Sequence, residues 1–241
     1  MGYQGPFRGL RVNHSVVSAS TSNVPTKVLL RCFSEPRLST YLQHCNGDLA
    51  AALALYDWNT AVSGGAWEVL THVEVALRNA LATGLQRRHE YRRRPGSWLD
   101  DPGNELDVRA RADILDARRR VRRSGHAPSD GQTISELGFG FWRFLIARRY
   151  TNLWPDLATA FPHAPNRGRV TVEAPVERIH GFRNRVAHHQ RIWHEPLADR
   201  YRDMITLLGF IDPDLAAWAE ARARLPALLA ARPGGSHAQP V

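Results

Sequence analysis

A chain of 241 residues, 43% of them hydrophobic, is long enough for one large domain or two small ones with a real core. A formal net charge of +9 favours a polyanionic partner, nucleic acid before membrane, although Lys27 is the single lysine and a GC-rich genome would produce the same arginine and alanine bias. Two distant cysteines, Cys32 and Cys45, exclude a disulfide framework and a four-cysteine metal site, and no run reaches the ~18 apolar residues of a membrane span.

Residues 1–26 are polar and turn-rich and read as a flexible leader with no signal peptide, so reduced thiols in the cytoplasm are expected. Pro6 stands where a myristoylation signal needs Ser or Thr. The helical domain is expected over 27–230. Ser34, Glu35 and Pro36 signal the start of a short helix through Tyr41. Asp48 opens a second helix that ends near Trp58 and Asn59, ahead of a break at Gly64-Gly65. The next runs from about Ala66 to Arg88, with Trp67, Leu70, Val73, Leu77, Leu81 and Leu85 on one stripe. Glu74 and Arg78 lie four apart off that stripe, which suits a solvated ion pair.

The cluster Arg87–Arg94 leads into a turn-rich segment and then a charged helix over about 105–123. Its acid-before-base pairs are Glu105 with Arg109, Asp107 with Arg111, and Asp116 with Arg120. Thr133 and Glu136 match a capping box opening an aromatic helix that contains Phe139, Phe141, Trp142 and Phe144, expected in the core rather than stacked on bases. Pro175 suits the first turn of a helix that buries Val172, Val176, Ile179, Phe182 and Val186. Beyond Pro196, Leu197, Tyr201, Met204 and Leu208 mark another helix stopped by Gly209. Asp212-Pro213 caps a last one to about Leu229, and 231–241 read as a disordered tail. Nothing demands a strand, so the expected fold is an all-α bundle, one domain with extra helices around a four- or five-helix centre.

The segment Gly181–His194 sets three arginines, an asparagine and three histidines among apolar residues. Asn184 and His188 share a face, as do Arg185 and His189, whereas Arg183 lies about 140° round the helix from His188. An imidazole moves a proton near neutral pH, and a guanidinium matches phosphate oxygens. Together with an amide they suit RNA cleavage, in which the 2′-hydroxyl attacks its own phosphate without a metal. A cationic helix end whose histidines cap carbonyls is the plainer reading. A zinc site from His188, His189 and His194 is disfavoured, because adjacent histidines point apart on a helix.

Arg183-Asn184-Arg185-Val186-Ala187-His188 resembles the Arg-x4–6-His motif of HEPN domains, with a polar residue directly after the arginine. Further likeness to the Abi-like (abortive infection) branch of that superfamily lies in Glu74 with Leu77-Arg78-Asn79. It extends to Leu55-Tyr56-Asp57-Trp58-Asn59, Leu137 to Trp142, and Arg183 to Trp193, in matching order over roughly 35–208. The resemblance implies a HEPN-like helical bundle that forms a two-fold dimer and acts as a cofactor-free endoribonuclease, a toxin or phage-defence effector. Arg183 would stabilise phosphate charge, Asn184 would orient, and His188 would be the acid/base. Glu74, Arg78 and Asn79 would line or buttress the cleft, with His189 as a supporting residue. The expected partners are RNA and a second copy, with room for an antitoxin or regulatory protein, and no membrane. Two alternatives stay open: a non-catalytic HEPN module that binds RNA, a nucleotide or a protein through the arginine clusters 87–94 and 118–123, and a structural or regulatory helical protein.

Overall fold

In a computed structural model, which describes residues 26–125 and 127–234, apolar spacing and capping give eleven α-helices with short 3-10 turns between them and no strand among the described residues. They are α1 (Thr26–Phe33), α2 (Glu35–His44), α3 (Leu49–Tyr91), α4 (Val108–Arg123), α5 (Asp130–Glu136), α6 (Phe139–Ile146), α7 (Trp154–Leu157), α8 (Arg169–Ala187), α9 (Leu197–Ile211), α10 (Pro213–Arg222) and α11 (Leu225–Ala230). The all-α class is therefore as expected. The leader but for Thr26, and the tail from 235 on, lie outside the described residues. No helix among the described residues is long and apolar enough to cross a membrane.

The chain divides into two compact units, one up to Gly64 together with Leu225 onward, the other Gly65–Arg224. In the first, Tyr56 meets the rings of Phe33 at 5.2 Å and Tyr41 at 5.3 Å, and the Trp58 indole donates to the Leu228 carbonyl at 2.7 Å. In the second, α8 packs against α6 and α9, α9 against α10, and α4 against α5. The α8 stripe Val172, Val176, Ile179, Phe182 and Val186 is buried as its spacing predicts. So are Phe139, Phe141 and Trp142, which makes the aromatic helix a core element.

Several boundaries differ from the sequence expectation. The Gly64-Gly65 pair does not break the chain: α3 runs through it, with Val62 and Ala66 fully buried on either side. Each helical glycine costs about 1 kcal/mol, less than burial of the flanking apolar residues returns. Gly209 likewise sits inside α9, where a Cβ would lie 3.7 Å from the Ala216 Cβ on α10. A side chain would meet only ordinary contact there, so Gly209 is carried within the helix, and Asp212 caps α10 through the amides of Asp214 and Leu215. Pro175 lies inside α8 rather than in its first turn. Its ring removes one backbone donor and is buried on the core face. The capping box uses Ser129 and Gln132, not Thr133 and Glu136, and the aromatic helix begins only at Phe139. Cys32 and Cys45 are free thiols.

The anticipated ion pairs within α4 give way to pairs across the fold, except that Asp116 stays on its own helix with Arg119 in place of Arg120. Arg88 forks onto Glu105, at 2.5 Å and 3.1 Å, and also reaches Asp156, while Arg94 meets Glu105 at 2.6 Å. Asp107 pairs with Arg149, Arg120 with Glu136, and Arg118 with Asp100. A guanidinium arm is long enough to choose a carboxylate on another element when that partner is better placed.

Candidate functional site

The candidate residues gather where α8 faces α3 and α6. α8 carries His180, Arg183 and Asn184 on successive turns of one face, because residues three and four apart are neighbours on a helix. The Arg183 Nε donates to the Glu74 Oε2 at 3.4 Å. Its guanidinium lies 5.4 Å from the centre of the Trp67 ring, two turns of α3 before Glu74. Trp67 is 41% exposed, a large aromatic surface beside a cation that has a single carboxylate partner. Glu74 thus pairs with Arg183 across the fold rather than with Arg78 along its own helix. Arg78 reaches the other way, donating to the Ser135 carbonyl at 3.4 Å and to the Asn79 Oδ1 at 3.3 Å. Asn79 lines a different depression of about 440 Å³, with Thr83, Arg87 and Asp212. Glu74 therefore belongs with Arg183, while Arg78 and Asn79 are engaged elsewhere.

Asn184 points its amide at His180, with Nδ2 3.4 Å from Nε2. Sequence reasoning misses His180, although its four-residue spacing from Asn184 is a legible signal. Its ring stacks on the buried Phe139 with centroids 5.7 Å apart and planes 15° from parallel. Burial lowers the pKa of this imidazole below its usual value of 6.5. The charges of Arg143 and Arg183 lower it further, and Glu177 opposes them. Arg143 is itself bound to Glu177. These effects favour its neutral form, whose Nε2 can accept from the Asn184 amide.

His188 is the cap residue of α8, and its imidazole is exposed. Its backbone N–H still donates to the Asn184 carbonyl at 3.0 Å, so it belongs to the last turn and keeps its place about 140° from Arg183. The chain reverses one residue later. His189 takes a left-handed conformation with φ 52°, its N–H donates to the Val186 carbonyl, and the Gln190 N–H donates to the Arg185 carbonyl. That pair of bonds is a Schellman closure with a histidine in the position glycine usually fills. His189 therefore ends the helix, and Arg185 pairs with Glu195 at 3.0 Å. Arg183 and His188 are not brought onto one face within the protomer.

The arginine clusters expected to bind RNA are partly neutralised by Glu105, Asp156, Asp100, Asp116 and Glu136. A basic and aromatic patch lies instead on α6, where Phe144 is ringed by Arg109 at 4.2 Å, Arg143 at 4.9 Å and Arg149 at 5.5 Å. Among the described residues, no three His, Cys, Asp or Glu side chains are placed to hold a metal ion. In comparisons with known proteins, the chain matches no family model, no curated protein and no solved structure.

Proposed function

We propose that this chain is a HEPN-type endoribonuclease of the Abi-like kind, working as a two-fold dimer and serving as a toxin or phage-defence effector. The observation that carries the reading is Arg183: a partly exposed guanidinium, held by one long contact to Glu74 and flanked by the exposed Trp67, on the helix that ends in His188. Glu74 engages its Nε, and the terminal nitrogens of the fork are the donors a phosphodiester would take. Trp67 offers a face on which a nucleobase stacks.

In this reading the 2′-oxygen bonds to phosphorus as the phosphorus–5′-oxygen bond breaks. Arg183 offsets the charge on the non-bridging oxygens, and histidine moves the proton. The products are a 2′,3′-cyclic phosphate and a 5′-hydroxyl. DNA, lacking the 2′-hydroxyl, does not react. The two-fold axis brings His188 of one protomer to Arg183 of the other, which removes the 140° separation.

The test incubates the dimer with single-stranded RNA in chelator and maps the ends. Arg183→Ala and His188→Ala are each expected to lower cleavage about 100-fold or more, and mixing the two variants is expected to restore part of it. Intact RNA with the wild type overturns the reading. RNA binding that survives His188→Ala, with no cleavage by the wild type, points to a binding module instead.

A further inference from the structure

Among the titratable groups of α8, one imidazole lies on Arg183's own face, and it is not the one in the motif. Position 180 is three residues before Arg183 and four before Asn184, about 60° and 40° away round the helix, whereas position 188 is about 140° away from Arg183. We infer that His180 is the general base of this site, acting on the phosphodiester bound by Arg183 of the same protomer, while His188 serves as the acid. The inference rests on the nuclease reading above.

Three features of its surroundings fit that role. The stack on Phe139 fixes the ring plane from one side. The Asn184 amide at 3.4 Å marks the direction of the Nε2 lone pair, through a hydrogen bond long enough for a substrate hydroxyl to replace. A Cβ at Gly140 would come within 3.6 Å of Nε2, so this residue leaves the nitrogen room on the α6 side. The charged groups around the ring are Glu177 and Arg183 on α8 and Arg143 on α6, with Glu74 on α3 reaching it only through Arg183. Two guanidiniums near a neutral imidazole favour an anion there and keep the ring unprotonated, which is the state a base requires.

The step balances. The 2′-hydroxyl proton passes to His180 Nε2 as its oxygen bonds to phosphorus. The phosphorus–5′-oxygen bond breaks, and the leaving oxygen takes a proton from His188. One imidazole gains a proton and the other loses one, and exchange with water restores both.

The experiment compares wild type, His180→Gln, His188→Ala and Arg143→Gln by pH–rate profiles of RNA cleavage. In parallel it follows the His180 ring proton by NMR, with and without inorganic phosphate. His180→Gln is expected to lower kcat/KM about 100-fold or more and to remove the acid limb of the profile. Arg143→Gln is expected to move that limb to higher pH, because a charge that disfavours protonation is gone. In the wild type, phosphate is expected to raise the His180 titration midpoint. A His180→Gln enzyme with wild-type rate and acid limb overturns the inference and leaves the nuclease reading standing. Should the wild type leave RNA intact, the nuclease reading falls. A His180 midpoint indifferent to phosphate then overturns the anion site as well, and a raised midpoint retains it.

Discussion

Two arginines of the second unit, Arg88 and Arg183, meet opposite fates. The Arg88 side chain is 8% exposed and saturated by Glu105 and Asp156, with Arg94 sharing Glu105 and His89 donating to the Gly96 carbonyl close by. The Arg183 side chain is 27% exposed, with one carboxylate at 3.4 Å and an aromatic face. The first belongs to a closed network of charges that satisfy one another within the fold. The second has capacity left over. A buried cation without partners is costly, so a fold completes such networks, and a cation left half-satisfied at the surface is free to serve a ligand.

The contrast can be broken at several points. The largest expected effect is at the closed network. Arg88→Ala leaves Asp156 unpaired and Glu105 with Arg94 alone, and should cost about 3 kcal/mol, read as a large drop in denaturant midpoint. Arg183→Ala should do the reverse, lowering RNA cleavage about 100- to 1,000-fold while the melting temperature stays near wild type.

Acid should find the closed network too. The fork from Arg88, with Arg94, holds the Glu105 carboxyl down from its ordinary 4.5 to about 2. A folded value below the unfolded one means the stabilisation is whole above about pH 4.5 and is lost as pH falls toward 2. Its size is about 3 kcal/mol, and Glu105→Gln should flatten the stability profile over that window.

A smaller effect is expected on the basic patch of α6. Arg109→Gln with Arg149→Gln should weaken RNA binding and lower its dependence on salt, by about 0.7 in slope for each phosphate no longer engaged. The smallest is at the helix end. His189→Gly relieves a left-handed backbone at φ 52° and should raise stability by about 0.5–1 kcal/mol, seen as a melting temperature a few degrees higher.

Much of the architecture was legible in the residues themselves. The stripe of α8 is buried position by position as its spacing predicts, Phe139, Phe141 and Trp142 of α6 form core while Phe144 is half-buried among arginines, and Asp212 caps α10. The glycine stops at Gly64-Gly65 and Gly209 misled, because a glycine ends a helix only when neighbouring burial does not outweigh its cost. The capping box misled because the helix already starts one turn earlier, capped by Ser129 and Gln132, which puts Thr133 inside it with its hydroxyl on the Ser129 carbonyl.

For the candidate site, residue type and spacing located Arg183 and Asn184, while Glu74 was singled out by the resemblance and by spacing was assigned to Arg78, the wrong arginine. Spacing overlooked His180, whose importance comes from Phe139 on another helix rather than from its own neighbours in sequence. Sequence alone determined the helical class, the buried faces and the chemistry available on α8, because those follow from periodicity and side-chain type. Only the tertiary structure decided which arginine is saturated and which is open, and which histidine is sheltered and which stands in water, because partner choice and desolvation depend on what other elements bring within reach.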